Sequence, residues 1–472
     1  NFTFASEVKS ILVYRGWNFK LDNSSLLEYL TFQNFLSNKT LYKDIFILEP
    51  SKYIEIDLLK RNFYIRDYWD FDFISLVDFS LNKNAAIDEL SVIMESAVKR
   101  QMVSDVEVGS YLSGGIDTGI LVAFASKLFK SNTLKTFTIG FDMTSVSGLE
   151  LSFDERDKAE YMSYLFSTEH YEMVLKAGDM ERCFEKLVYH LEEPRVGQSY
   201  PNFYASKLAS KFVKVVLSGT GGDELFGGYP WRYHSFAQAK SFEEFIDSYY
   251  SYWHRLVDPN YFRRIFEQMI KEVGEDYTRD IFVSILKKQF SSMCNKKLDY
   301  DTMLLMAFYF EVKTFLHGLL IIEDKLSMAH GLEVRVPFLD NEVINLALRI
   351  PAFLKLSSFK NVDVFDNEIK QKAEVVNGKY ILRLLANRLI GSKISELKKQ
   401  GFTAPDTSWF KGESIEFVKK KLLNPKARIY NLMSRKHVKD VLEEHFTGRK
   451  NRRLFIWSLL YLEYWLKIYC NL

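Results

Sequence analysis

Two glycine-rich loops that carry acids are the parts of this sequence whose residue types and spacing could do chemistry. The first is Leu112-Ser113-Gly114-Gly115-Ile116-Asp117-Thr118, directly before an apolar helical pattern. Two glycines let backbone N–H groups curl around an anion, and a helix N-terminus adds a favourable partial charge. The hydroxyls of Ser113 and Thr118 add donors. Asp117 would repel a phosphate, so in such a cradle it makes sense as a ligand for Mg²⁺. An ordinary strand-to-helix turn capped by an aspartate fits the same seven residues, and both readings stand on this loop alone.

The second loop runs from Ser218 to Tyr229 and holds five glycines in twelve residues. Such a density is costly in chain entropy and calls for close backbone approach or positive φ. Asp223 and Glu224 are adjacent. Two unit charges about 4 Å apart repel by about 4 kcal/mol at an effective dielectric near 20. A cation shared by Asp117, Asp223 and phosphate oxygens would reverse that sign. A solvated acidic turn explains the charges but leaves the glycines without a reason.

The surrounding pattern predicts the elements that hold these loops. Strands are expected over 106–112, 134–140 and 170–174, with a buried run at 213–217 leading into the second loop. Helices are expected over 86–99, 118–129 and 154–166. Strands alternating with helices imply parallel βαβ units in an open, doubly wound sheet. In such sheets ligands sit at the carboxyl ends of the strands, near a topological switch point. After Tyr229 the pattern reads as almost entirely helical. The first 75 or so residues differ, with β-prone runs at 44–48 and 52–56, and a boundary falls near 76–83. The fold class is therefore α/β, with a large helical part and an N-terminal antiparallel β-rich segment.

Four further stretches, together with the two loops, carry a resemblance to the asparagine synthetase family of amidotransferases. Ser113 to Asp117 resembles that family's pyrophosphate loop, and Leu217 to Tyr229 resembles a narrower second signature. Asp324 to His330 with Glu333 to Asp340, Lys379 to Arg383, and Lys399 to Phe402 with Pro405 and Trp409 follow in the expected order. Phe4 to Lys9 is similar to the closing part of the family's N-terminal glutaminase domain. On this resemblance, residues 1–78 are the C-terminal part of a glutaminase domain, and residues 79–472 an ATP-pyrophosphatase (synthetase) domain.

The resemblance implies ATP and Mg²⁺ as cofactors. Leu112, Ile139, Ser218 and Gly219 would surround the nucleoside. Ser113, Gly114, Gly115, Asp117 and Thr118 would hold the diphosphate. Asp117 and Asp223 would coordinate Mg²⁺, and Lys399 would neutralise charge on the phosphates and on an acyl-adenylate. Thr220 and Glu224 would lie near the acid. Thr118 stands where serine is usual, and Thr220 where asparagine synthetases usually carry glutamate. The second departure opens acids other than aspartate, including sugar uronates and peptide acids. Glutamine is the implied nitrogen donor, and an internal amine closing a lactam or macrocycle is a rival, as is a non-catalytic scaffold. The chain begins with Asn1, and an upstream segment carrying the glutaminase cysteine is expected. Arg335 and Asp340 are expected to form a buried ion pair at a helix junction.

Bulk composition bounds the rest. The chain has 472 residues, 47% of them hydrophobic, with 63 basic against 61 acidic side chains. A net charge of +2 gives no electrostatic case for nucleic acid or an anionic membrane. The basic stretches 419–421 and 449–453 read as solvated faces. Three widely spaced cysteines argue for a reducing compartment, and a cytoplasmic location is expected. The longest apolar stretch, 454–469, is broken by Glu463 and Lys467 and reads as a core helix. A homodimer is left open.

Overall fold

A computed structural model of the chain describes residues 2–17, 19–128, 133–357, 378–397 and 403–470. Two strands near the N-terminus, β1 (Lys52–Asp57) and β2 (Asn62–Asp67), pair antiparallel. The other five are β3 (Val108–Tyr111), β4 (Lys135–Phe141), β5 (Glu169–Leu175), β6 (Val215–Leu217) and β7 (Glu333–Arg335). They form one parallel sheet in the order β5-β4-β3-β6-β7.

The strands follow from composition. Val108, Val215, Val216 and Leu217 are buried, as is β4 apart from its first residue. Near-continuous burial is what a parallel sheet covered on both faces requires. The chain winds from β3 outward through β4 to β5, then returns to place β6 on the other side of β3. The switch point therefore lies between the carboxyl ends of β3 and β6, where both glycine-rich loops emerge.

Helices cover the sheet and extend beyond it. Those that bear on the site are α1 (Asn23–Phe32), α2 (Lys83–Gln101), α3 (Ile116–Ala125), α4 (Arg156–Phe166), α5 (Gly222–Phe226), α6 (Tyr300–Phe310), α7 (Leu316–Met328), α8 (Asn341–Arg349), α9 (Tyr380–Leu389) and α10 (Arg453–Trp465). Between α6 and α7, Glu311–Phe315 form a turn of π-helix, so 300–328 is one continuous helical run. This run, rather than 454–469, is long and apolar enough to cross a membrane. Its most apolar stretch is 72% buried within the protein, as in a core helix.

Residues of α1 share that core. Leu26, Leu27, Tyr29, Leu30 and Phe32 are buried, and the Tyr29 hydroxyl donates to Ser458 Oγ of α10 at 2.9 Å. Glu193 accepts from the Leu41 backbone N–H at 2.6 Å, and Tyr42 donates to the Glu192 carbonyl at 3.1 Å.

Two local expectations differ from the structure. Residues 44–48 form no strand: Phe46 and Leu48 are exposed, and among the described residues the segment makes an isolated bridge between Lys39 and Phe46. The region after Tyr229 is not wholly helical, since β7 adds a sheet edge beside β6. Otherwise the strands and helices expected around the first loop are present, with ends shifted by a few residues.

Candidate active site

The two loops leave neighbouring strands. Ser110 of β3 is in register with Leu217 of β6, and Leu112-Ser113 and Ser218-Gly219 continue from those ends. Leu112 is fully buried, and its carbonyl accepts from the Thr138 hydroxyl on β4. Ile139, next along β4, is buried, and the Ser218 N–H donates to the Arg335 carbonyl of β7 at 2.8 Å.

The first loop closes on itself. The Ser113 N–H donates to Thr118 Oγ1 at 3.1 Å, the two hydroxyls lie 3.1 Å apart, and the Gly115 N–H donates to Ser113 Oγ at 3.2 Å. Gly114 and Gly115 thus sit between two hydroxyl-bearing residues at the start of α3. Every residue of α3 is buried except Asp117, which the helix presents at its first turn toward the second loop.

Glycine is required where the loops meet. A Cβ on Gly219 would lie 2.9 Å from Asp117 Cβ and 3.3 Å from the Thr118 backbone nitrogen. Gly221 has φ of +98°, a conformation that an L side chain strains to adopt. It is the N-cap of α5, whose second residue is Asp223.

Between the two carboxylates lies Lys379. Its Nζ is 2.5 Å from Asp117 Oδ2 and 2.6 Å from Asp223 Oδ1, and the lysine side chain is only 3% exposed. The backbone of Lys379 is left-handed, with φ of +59°, immediately before α9. Strain of this kind persists where surrounding contacts fix the residue. Arg383, one turn on, fastens this segment by donating to the carbonyls of Gly378 (2.9 Å), Ser395 (2.8 Å) and Leu397 (2.8 Å).

The donor set suits Mg²⁺. Asp117 and Asp223 offer hard carboxylate oxygens, and Asp117 Oδ1 is enclosed with no hydrogen-bond partner among the described residues. No cluster of three or more protein ligands occurs among the described residues. Two carboxylates fit an ion that keeps waters and phosphate oxygens for most of its coordination.

Beyond Asp223 the second loop is braced by a buried relay. Glu224 is nearly inaccessible and accepts from the Tyr229 hydroxyl at 2.6 Å. Burial, and then the Asp223 charge, push the Glu224 carboxyl up to about 7. The Arg232 guanidinium stacks 3.7 Å over the Tyr229 ring and pairs with Glu311 Oε1 at 3.1 Å. Glu311, in the π turn, also accepts from Tyr233 (3.0 Å) and Tyr249 (3.1 Å). Thr220 lies on the opposite flank of the loop, its hydroxyl 3.1 Å from Ser218 Oγ.

The fold thus brings Leu112, Ser113, Gly114, Gly115, Asp117, Thr118, Ile139, Ser218, Gly219, Thr220, Asp223 and Glu224 around one switch point. Lys399 lies outside the described residues. Sequence reasoning assigned no role to Lys379, although its motif was recognised; its partners are 262 and 156 positions away, and local spacing carries no trace of them. It also passed over Glu323, which ends an apolar run of α7 just ahead of the Asp324 motif. Arg335 and Asp340 do not pair with each other. Arg335 donates to the carbonyls of Gln101 (2.6 Å) and Val103 (2.7 Å) and to Glu333 (2.6 Å). Asp340 instead caps α8 and pairs with Arg100 of α2 at 2.7 Å, because its strand-to-helix turn faces the end of α2.

A parallel, doubly wound sheet with two acid-bearing glycine loops at its switch point defines an α/β protein whose candidate site lies at the strand ends. The family described as asparagine synthase matches residues 89–467, and the one described as glutamine amidotransferase domain matches residues 1–69. The chain belongs to the asparagine synthase family. Among similar proteins is asparagine synthetase [glutamine-hydrolyzing] 1 of Bacillus subtilis, 28% identical over 98% of this chain and 71% of that protein. A putative asparagine synthetase [glutamine-hydrolyzing] of Mycobacterium bovis is 27% identical over the same shares of each chain. One from Methanocaldococcus jannaschii is 35% identical over 48% of this chain and 43% of its own length.

Proposed function

We propose that the protein is an ATP-dependent amidotransferase that activates a carboxylate as an acyl-adenylate, releases pyrophosphate, and amidates the acid with ammonia derived from glutamine. The observation that carries this reading is the convergence of Asp117 and Asp223, from two loops 106 residues apart, at the sheet's switch point. Membership of the asparagine synthase family and the glutamine amidotransferase match support the nitrogen source.

The residues divide the work by chemistry. Leu112, Ile139, Ser218 and Gly219 would enclose the nucleoside. The N–H groups and hydroxyls of Ser113, Gly114, Gly115 and Thr118 would bind the diphosphate at the start of α3. Mg²⁺ held by Asp117 and Asp223 would offset the negative charge that accumulates as pyrophosphate departs. Lys379, and Lys399 as the resemblance implies, supply fixed positive charge for the same purpose. Adenylation gives a poor acyl acceptor a good leaving group, after which an amine can displace AMP.

Thr220 favours a second reading of the substrate. A hydroxyl where asparagine synthetases usually carry glutamate supports a carboxylate other than aspartate, such as a sugar uronate or a peptide acid. ATP–pyrophosphate exchange tests both levels. Exchange should appear with one of aspartate, a uronic acid or a peptide acid, and Asp117→Ala and Asp223→Ala should abolish it. Near-wild-type exchange in both variants would remove the metal assignment.

A further inference from the structure

The Lys379 ammonium acts on Asp117, Asp223 and Glu224, whereas among the described residues no cation acts on Glu323. Asp117 and Asp223 share Lys379, Glu224 holds the Tyr229 hydroxyl, and Glu192 pairs with Lys325 and Lys9. Glu323, near the end of α7, stands beside the hydroxyls of Ser218 and Thr220. Its Oε2 is enclosed without a hydrogen-bond partner among the described residues, and no cation is among the groups acting on its carboxyl. An enclosed carboxylate without a counter-ion costs several kcal/mol. A guest with N–H groups or positive charge would relieve that cost.

Position tells which guest. The segment Ser218-Gly219-Thr220 has two flanks. Gly219 packs on Asp117, the side where the phosphates would lie, whereas Ser218 and Thr220 face Glu323. An acyl carbon held at this segment would have its leaving group toward Asp117 and its open face toward Glu323.

We propose that Glu323 receives the amine that attacks the activated acid, first as hydrogen-bond acceptor and then as proton acceptor. This rests on the acyl-adenylate reading above. The amine lone pair forms the new C–N bond, the acyl C–O bond to the phosphate breaks, and its electron pair leaves with AMP. The proton lost by nitrogen passes to the Glu323 carboxylate and from there to solvent. Burial pushes the Glu323 carboxyl above its ordinary range, with Ser218 and Thr220 pulling it partly back. That shift makes it a stronger proton acceptor than an exposed glutamate.

The test compares wild type and Glu323→Gln in three assays on whichever of aspartate, glucuronate or a short peptide acid supports exchange. The assays are ATP–pyrophosphate exchange, hydroxamate formation with hydroxylamine, and amide formation with ammonium chloride. Hydroxylamine is a strong nucleophile, unprotonated at neutral pH, and has little need of a base. Glu323→Gln should retain exchange and hydroxamate formation within about threefold while losing about 100-fold in ammonium-dependent amide formation. Retained exchange also reports that the variant is folded. A selective loss in amide formation of less than tenfold, or a parallel fall in all three, would overturn the role of Glu323. No exchange by the wild type with any acid would instead sink the acyl-adenylate reading, and this inference with it.

Discussion

Replacing Lys379 with methionine removes the positive charge between Asp117 and Asp223 while keeping most of the stem volume. The two contacts of 2.5 and 2.6 Å to one nitrogen place the carboxylate oxygens at most about 5 Å apart. At an effective dielectric near 20, unit charges at about 5 Å repel by about 3 kcal/mol once the ammonium is gone. Each lost charge-assisted hydrogen bond adds about 1.5–3 kcal/mol, offset in part by water reaching carboxylates that are 14% and 16% exposed. The net expectation is about 3–5 kcal/mol of destabilisation, the range for breaking one side of a buried ion cluster. Urea unfolding of wild type, Lys379→Met, Asp117→Asn and the double variant measures it as a cycle. Lys379→Met should cost at least about 1.5 kcal/mol less in the Asp117→Asn background, because one of the repelling charges is already absent. A cost below about 1 kcal/mol, or an equal cost in both backgrounds, would refute the view that Lys379 holds the two loops together.

Gly219→Ala should displace the two loops from each other, since its Cβ would come within 2.9 Å of Asp117 Cβ. A stability loss of about 1–3 kcal/mol and at least a roughly tenfold fall in ATP–pyrophosphate exchange are expected; unchanged exchange would mean the loops tolerate separation. Asp406 is fully buried and accepts from the Tyr200 hydroxyl at 3.0 Å. Burial pushes its carboxyl up to about 7 from an unfolded value near 4. The folded state therefore holds a proton that the unfolded state releases, and stability falls as pH rises from about 4 to about 7, by at most about 4 kcal/mol. Asp406→Asn should accordingly raise the melting temperature at pH 8 and lose that advantage near pH 4; an advantage independent of pH would contradict the assignment.

How much was legible in the sequence depended on the range of the interaction. Strands β3, β4 and β5 and the helix after the first loop were readable because apolar runs alternate with amphipathic segments, and both loops because glycine and acid density is local. The segment 44–48 alternates like a strand, yet Phe46 and Leu48 are exposed, and among the described residues its pairing is the isolated bridge from Lys39 to Phe46. Strand β7 is three residues long inside a helical region, and its place beside β6 comes from the sheet. The seat of Lys379 depends on loops far away along the chain and on a left-handed backbone that composition does not announce. Arg335 and Asp340, five residues apart, suggested a mutual pair; the ends of α2 and the caps of neighbouring elements claimed each of them first.

The π turn at Glu311–Phe315 sets a phase. An α-helix advances about 100° per residue, and a π turn accommodates one residue more than a regular turn. Residues of α6 and α7 are therefore offset by one angular step, with Glu311 directed at Arg232 and Glu323 at Ser218 and Thr220. Deleting a single residue within 312–315 would turn the bulge into a regular α turn and leave both carboxylates pointing as they do, whereas relaxing the π turn to α at constant chain length would swing one of them away by about 100°. The helix could remain folded and buried while its two acids fell out of step, so the bulge itself, at this chain length, is what keeps Glu311 and Glu323 aimed at their separate partners.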